Sequence, residues 1–222
     1  WARNTWNNLG RSLWETASFL RMSREEFVAT VRVEGLDAVR ASLEKGKGVL
    51  FFTAHYGNWE ATQLAVAASG VPMAVVARRM KNPLVDEFLS SFRERFGTHV
   101  IFHKDAVRES FRWLRQGKAL GLLFDQHVGE GGLRVPFLGR PAATTSLGAI
   151  LALRLGCAVH PAVCRRGPSG ELVVVLEPAM DFEGMSPDAR GIYDATLAMT
   201  KVVERWIRQE PPMWLWLHRR WK

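Results

Sequence analysis

The sequence predicts an α/β fold in which helices flank a central mixed, largely parallel sheet. Short apolar runs typical of buried strands alternate with longer segments whose apolar residues recur at every third or fourth position. Such alternation is typical of helices layered on a sheet. With 222 residues, 47% of them hydrophobic and 23% charged, the chain suits one globular domain spanning residues 1–222. Because it begins with Trp1 rather than Met, we expect it to be a fragment.

Charge and composition limit the class of partner. The formal net charge is +8 and there are nine tryptophans. A strongly basic protein attracts an anionic partner, such as a nucleic acid, a membrane surface, a phosphorylated lipid or an acidic carrier protein. Tryptophan beside arginine favours the membrane interface. No apolar run of about 18 residues is present, so no segment is predicted to span a bilayer. The two cysteines, Cys157 and Cys164, indicate neither a metal site nor a disulfide framework, which favours a reducing compartment.

The first element is predicted to be an amphipathic helix over residues 1–20. Its apolar residues follow a spacing of three and four, with Arg3, Arg11 and Glu15 between them. Two interpretations remain open for this helix: it packs on its own domain, or it lies on a membrane surface.

The next elements follow from caps, breakers and apolar runs. A capping box at 23–26 opens a short helix, and Gly46 and Gly48 end a later one. Apolar or β-branched runs between such signals are typical of strands. The pattern predicts strands at 31–34, 48–52, 72–77, 100–102 and 119–124, and helices at 36–45, 61–69, 84–96 and 105–116.

The carboxyl-terminal part of the chain contains fewer clear signals. Residues 133–140 are predicted to form an extended loop, and residues 144–146 to cap a small apolar helix at 147–155. Runs at 158–164 and 172–177 predict a hairpin, and a long amphipathic helix follows at 187–209. The alternation within residues 211–222 predicts a last strand with a basic, aromatic tail.

The strongest candidate for chemistry is the turn after the strand at 48–52. His55 is expected at the carboxyl end of that strand, where open α/β sheets bind their ligands. Gly57 permits a tight turn, and Glu60 falls in the first turn of the next helix. We therefore predict His55 as a general base and Glu60 as the carboxylate that orients its imidazole. The alternative is that His55 has only a structural role near the end of its strand.

Other polar residues are candidates for binding the substrate. A basic turn and helix follow the strand at 72–77; their cations either form a solvated face or bind phosphate. Polar residues also emerge after the strand at 119–124, and the amides before residue 147 either receive an oxyanion or are simply capped. The candidate substrate-binding residues are Arg78, Asn82, Arg93, Asp125, Gln126 and Ser146. No metal site is predicted.

Together these residues resemble a known family. The residues that carry the resemblance are His55 with Glu60, Asn82-Pro83-x-x-Asp86 with Arg93, Asp125, Val135-Pro136-Phe137 and Trp216-Leu217-His218-Arg219-Arg220. They resemble the bacterial lipid A late acyltransferases (lauroyl and myristoyl transferases) within the glycerolipid acyltransferase superfamily. The resemblance covers nearly the whole chain, from Leu9 to Lys222.

The resemblance implies transfer of a fatty acyl chain from acyl carrier protein, or less often coenzyme A, to a hydroxyl of a glycolipid. It implies His55 as general base, Glu60 as its partner, and Arg93 and Asp125 as polar positions needed for activity or phosphate binding. It also implies no cofactor, and action at the cytoplasmic face of the bacterial inner membrane. The family usually has an amino-terminal transmembrane helix, which this chain lacks.

Three alternatives accompany this interpretation. Gly57-Asn58-Trp59 is more similar to mycobacterial mannoside acyltransferases than to the enterobacterial lipid A enzymes, so a different glycolipid acceptor is possible. A hydrolase or thioesterase on the same fold would use His55 to activate water. A basic nucleic-acid-binding module fits the charge, but the sequence contains no recognisable nucleic-acid-binding motif, so no nucleic acid is expected. The oligomeric state is not predicted.

Overall fold

A seven-stranded sheet forms the centre of the protein in the computed structural model. The structure describes residues 2–222, with only the backbone described for residue 130. Its strands, in the order in which they lie across the sheet, are β1 (Val31–Glu34), β9 (Leu172–Leu176), β8 (Ala158–Arg166), β2 (Val49–Thr53), β5 (Ala119–Leu123), β3 (Met73–Ala77) and β4 (His99–Phe102). All neighbouring pairs are parallel except the β8–β9 hairpin. The predicted mixed, largely parallel sheet is therefore confirmed.

Helices cover both faces of this sheet, as predicted. They are α1 (Ala2–Phe19), α2 (Arg24–Thr30), α3 (Leu36–Glu44), α4 (Trp59–Ala68), α5 (Pro83–Glu94), α6 (Ala106–Leu114), α7 (Leu147–Leu155) and α8 (Ala189–Gln209). Helices α1 to α5 contribute to one apolar cluster, and α6 to α8 contribute to a second. Adjacent residues of β2 show the division, since Phe51 belongs to the first cluster and Phe52 to the second.

Two amino-terminal predictions can be compared directly with the structure. The helix predicted over residues 1–20 is present as α1; Trp1 lies outside the described residues. The capping box is also present, because the Ser23 hydroxyl accepts from the backbone of Glu26 and the Glu26 carboxylate accepts from the backbone of Ser23. Among residues 2–222, no helix is long and apolar enough to cross a membrane.

The extended loop predicted at 133–140 is instead a β-hairpin. Strands β6 (Leu133–Phe137) and β7 (Arg140–Thr144) pair antiparallel around the two-residue turn Leu138–Gly139. Both turn residues have positive φ, 49° and 81°, as the tightest hairpin turns require. The sequence did not predict this turn because leucine rarely adopts positive φ, as Leu138 does here. In addition, Pro136 and Pro141, which pair with each other across the two strands, are residues that usually argue against a strand.

The last strand predicted within residues 211–222 is also wrong. Residues Pro211–Met213 form a 3-10 turn, and a single bridge joins Tyr56 to Trp214. Both edges of β2 are already paired, with β5 and β8, so the alternating segment finds no free strand edge there. It instead crosses the turn after β2, where the Leu215 amide donates to the carbonyl of His55 at 2.8 Å.

Candidate active site

Two turns at the carboxyl edge of the sheet bring His55 and Asp125 together. Strands β2 and β5 are parallel neighbours whose last residues, Thr53 and Leu123, are paired in register. The turns that follow them therefore run side by side, although they lie 70 residues apart in the chain. Gly57 shapes the first turn with φ of 57°, and a Cβ there would lie 2.1 Å from the carbonyl oxygen of Cys164. The glycine predicted for this turn is thus needed for both conformation and space.

The Asp125 carboxylate is buried and fully engaged. Its Oδ1 lies 2.8 Å from Nδ1 of His55, and its Oδ2 accepts from the His55 backbone amide at 2.9 Å and from the Trp214 indole at 2.7 Å. Its side chain is only 2% exposed. Burial would raise the pKa of this carboxyl, but the charge and hydrogen bonds of His55 and the Trp214 hydrogen bond outweigh burial and hold the pKa below its ordinary value.

This arrangement fixes the tautomer and orientation of the His55 imidazole. A carboxylate can only accept, so Nδ1 of His55 carries the proton and Nε2 presents its lone pair. The Gln126 amide nitrogen lies 3.2 Å from that Nε2 and donates to it. The Trp59 ring lies 5.1 Å from the imidazole, centroid to centroid. Among residues 2–222, Asp125 and Gln126 are the hydrogen-bonding partners of the ring, so no serine or cysteine is hydrogen-bonded to it.

The predicted pairing of His55 with Glu60 is wrong. Glu60, in the first turn of α4, points towards α5 and forms a bidentate ion pair with Arg93, at 2.6 Å and 3.2 Å. Burial would lower the pKa of the Arg93 guanidinium, but its hydrogen bond to Glu60 and that carboxylate's charge raise it above its usual range. The carboxylate nearest to the histidine in sequence therefore supports the neighbouring helix, and the orienting carboxylate comes from the adjacent strand.

A cavity of about 390 Å³ extends from His55 between the sheet and α4. His55 and Glu60 line it, as do the predicted residues Arg78, Arg93 and Gln126. Its remaining wall is mostly apolar and includes Phe51, Trp59, Val66, Met73, Val75 and Leu123. Such a cavity suits an elongated apolar ligand whose reactive end meets the imidazole. Arg78 is exposed, and no described carboxylate forms an ion pair with it, which leaves its charge available to an anion.

Three predicted substrate-binding residues, Asp125, Asn82 and Ser146, are not among those that line the cavity. Asp125 is buried and bonds His55 instead. Asn82 caps α5, because its Oδ1 accepts from the Leu84 amide at 3.0 Å. Ser146 precedes α7 without capping it through its side chain. The hydroxyl of Thr145 accepts from the Leu147 amide instead, at 3.3 Å. Asn82 thus caps the start of α5. Of the three residues predicted to cap α7, Thr145 and not Ser146 supplies the side-chain hydrogen bond.

The carboxyl-terminal segment supports the turns that carry His55 and Asp125, which the sequence did not predict. Besides the Trp214 hydrogen bond to Asp125, Nε2 of His218 accepts from the His127 amide at 2.8 Å. Buried Arg220 donates to the carbonyls of Gln126 at 3.3 Å and Ala143 at 2.6 Å. Burial lowers the pKa of Arg220 to about 10, against the attraction of Asp125. The only signal available was the composition of the tail, Trp216-Leu217-His218-Arg219-Arg220.

The two cysteines do not point to a second chemistry. Burial raises the pKa of both Cys157 and Cys164 to about 12, so both thiols stay protonated and unreactive. Among residues 2–222, no three side chains of His, Cys, Asp or Glu are grouped so as to hold a metal ion.

Comparison with known proteins decides the family. A family model described as bacterial lipid A biosynthesis acyltransferase matches residues 2–222, almost the entire chain. The chain belongs to this family. The predicted resemblance to this family is therefore confirmed, and the chain is an acyltransferase by class.

Individual relatives in this acyltransferase family are distant in sequence. The chain is 28% identical over 221 residues to a lipid A biosynthesis lauroyltransferase of Escherichia coli, covering 97% of this chain and 69% of that protein. It is 27% identical over 195 residues to the palmitoleoyltransferase of the same bacterium, covering 86% of this chain and 61% of the relative. A phosphatidylinositol mannoside acyltransferase of Mycobacterium tuberculosis is 26% identical over 136 residues, or 60% of this chain and 43% of that protein.

Proposed function

We propose that this chain is an O-acyltransferase that moves a fatty acyl group from a thioester to a hydroxyl of a lipid A-type glycolipid. One observation carries the proposal: a histidine whose Nδ1 is bonded to a buried carboxylate lines a largely apolar cavity. The family name and the lauroyl- and palmitoleoyltransferase relatives supply the class of acceptor.

In the proposed mechanism, Nε2 of His55 takes the proton of the acceptor hydroxyl. The hydroxyl oxygen attacks the thioester carbonyl and forms a carbon–oxygen bond. The tetrahedral intermediate then collapses, the carbon–sulfur bond breaks, and the thiolate receives the proton from the imidazolium. Asp125 stabilises the positive charge that His55 carries between the two proton transfers. The attack is direct, consistent with a ring whose described hydrogen-bonding partners, Asp125 and Gln126, include no serine or cysteine.

Gln126 is positioned to take part in this step. Its amide nitrogen occupies the place beside Nε2 of His55 that an acceptor hydroxyl needs, so substrate binding has to displace it. Once displaced by a short distance, the same N–H group can donate to the oxyanion of the tetrahedral intermediate. We assign Gln126 this role in place of Arg93, whose guanidinium is bound to Glu60.

Anionic groups of both substrates find complementary charge near the cavity. Arg78 lies at its wall with no ion-pair partner among the described side chains, and it would bind a phosphate of donor or acceptor. The net charge of +8 favours an acidic acyl carrier protein as donor, with coenzyme A as the alternative. No cofactor is required by this mechanism. The same charge favours peripheral association with an anionic membrane, proposed to be the cytoplasmic face of the inner membrane.

The mannoside acyltransferase relatives favour a second acceptor class. Their similarity to this chain spans 60% of it, so a phosphatidylinositol mannoside is the alternative glycolipid. Both acceptors are phosphorylated glycolipids with free hydroxyl groups, and the mechanism at His55 is the same for either.

The proposal is tested by incubating the purified chain with lauroyl acyl carrier protein and either a lipid A precursor or a phosphatidylinositol mannoside. Mass spectrometry measures the acylated glycolipid, and free fatty acid is measured in the same samples. We expect acylated glycolipid from the native chain and none above background from His55→Ala. Free fatty acid as the sole product would replace the transferase with a hydrolase, and full turnover by His55→Ala would remove the proposed base.

A further inference from the structure

The amino-terminal helix α1 differs from an ordinary surface helix. Phe19 near its end packs in the core, but the other side chains that bind the helix to the domain are mostly polar. The Ser12 hydroxyl donates to the carbonyl of Gly57 at 3.2 Å, and the Thr16 hydroxyl to the side chain of Asn58 at 3.3 Å. The amide of Asn58 in turn donates to Glu15 at 3.2 Å, and Glu15 is ion-paired with Arg166. These hydrogen bonds and this ion pair fix which side of α1 points inwards.

The outward side of α1 carries an apolar stripe formed by Trp6, Gly10, Leu13, Trp14 and Ala17. These positions follow the spacing of one helix face. Trp6 is 58% exposed, Leu13 61% and Trp14 76%, so the large residues of the stripe have no partner that covers them. An ordinary soluble helix exposes its polar side instead, and a contiguous exposed apolar stripe marks an interaction surface.

We propose that the apolar stripe of α1 enters the headgroup region of an anionic lipid bilayer. Tryptophan is the residue that best suits this depth, and two of the five stripe residues are tryptophan. Exposed Arg3 and Arg11 lie on the same helix and complement anionic headgroups, as does the net charge of +8.

This proposal adds a membrane-binding surface to the proposed function. It rests on that function in assuming that the substrate is a membrane glycolipid. The inner side of α1 bonds Gly57 and Asn58, two and three residues after His55. The membrane-bound helix therefore also supports the catalytic turn.

The test is sedimentation with vesicles made of phosphatidylcholine and phosphatidylglycerol. The variant combines Trp6→Ser, Leu13→Ser and Trp14→Ser, none of which changes the charge. The matched control combines Val28→Ser and Val107→Ser, which are 51% and 59% exposed on other helices. We expect the stripe variant to bind vesicles at least about tenfold more weakly than the native chain, and the control to bind like the native chain. Circular dichroism should show equal helix content in all three, since every substituted residue is exposed.

Equal vesicle binding by the native chain and the stripe variant would overturn the proposal. Sedimentation velocity gives a second result that would overturn the proposal. If the native chain were a dimer and the stripe variant a monomer, the stripe would be the contact surface for a second copy of the chain. Neither measurement involves turnover. A native chain that binds vesicles through the stripe but transfers no acyl group would therefore refute the proposed function and leave this inference intact.

Discussion

Asp125 holds His55 at two points, since Oδ1 lies 2.8 Å from the ring Nδ1 and Oδ2 lies 2.9 Å from the backbone nitrogen. The two bonds connect the ends of the adjacent strands β2 and β5. The carboxylate therefore sets both the rotamer of the imidazole and the path of the turn that carries it. Removing it is expected to disturb the base more than any change at Glu60.

The lowered pKa of Asp125 predicts a specific acid dependence of stability. A carboxyl with a lowered pKa in the folded chain contributes stability that is complete above its unfolded-state pKa, about 4, and is lost as the pH falls through the folded-state value. We expect the free energy of unfolding of the native chain to fall more steeply below about pH 4 than that of Asp125→Asn. Urea unfolding followed by tryptophan fluorescence checks this, and parallel curves would contradict it.

The Glu60–Arg93 ion pair is predicted to stabilise the cavity wall. Both side chains are mostly buried, 13% and 18% exposed, so Glu60→Gln leaves a buried guanidinium without its counter-charge. We expect the free energy of unfolding to fall by about 3 kcal/mol. The double variant Glu60→Leu with Arg93→Met removes both charges and should recover more than half of that loss. A double variant less stable than Glu60→Gln would show that the pair itself is strongly favourable.

Trp214→Phe isolates the indole hydrogen bond to Asp125. The substitution keeps the ring packing against Phe137 but removes the donor 2.7 Å from Oδ2. We expect a loss of about 2 kcal/mol in the free energy of unfolding, the usual effect of a hydrogen bond to a charged group, together with a fall in kcat. Trp216→Phe is the matched control, because its indole donates to the carbonyl of Pro211 at an exposed position. Equal effects from the two variants would argue against a role for this bond in positioning.

Arg220→Lys tests whether the buried guanidinium holds the site together. Lysine cannot reach the carbonyls of Gln126 and Ala143 and the Thr144 hydroxyl at once. We expect the free energy of unfolding to fall by about 2 kcal/mol, with Arg219→Lys, at an exposed neighbouring position, within about 0.5 kcal/mol of the native chain. Thermal unfolding of both variants measures these changes. Equal stabilities of Arg220→Lys and Arg219→Lys would contradict a supporting role for the Arg220 guanidinium.

Local patterns were sufficient for most of the fold. Caps, breakers and apolar spacing predicted the helices and strands of the large sheet in the correct order, because these signals act within a few residues. The partner of His55 could not be found in this way. Asp125 was recognised as a polar residue at a strand end, but which strands lie side by side is decided by the topology of the whole sheet. Glu60 was preferred because it is close in sequence.

The carboxyl-terminal segment shows the same limit. The alternation of Trp214, Leu215, Trp216 and Leu217 is typical of a strand, yet the neighbouring strand β2 has no free edge. Tertiary contacts therefore overrode the local pattern, and side chains that would have faced a sheet bond the turns that carry His55 and Asp125 instead. For Ser146, the neighbouring Thr145 supplies the hydroxyl that caps α7, a choice between adjacent residues that composition cannot decide.

The central claim is that Asp125, and not Glu60, orients the catalytic base. Its most direct test is kcat/KM for acyl transfer by Asp125→Asn and Glu60→Gln, measured at a temperature where both are folded. Asparagine can present an N–H group to Nδ1 and favour the wrong tautomer, so we predict a fall on the order of 10³-fold for Asp125→Asn and less than about tenfold for Glu60→Gln. Near-native turnover by Asp125→Asn, with the large loss in Glu60→Gln, would contradict the account.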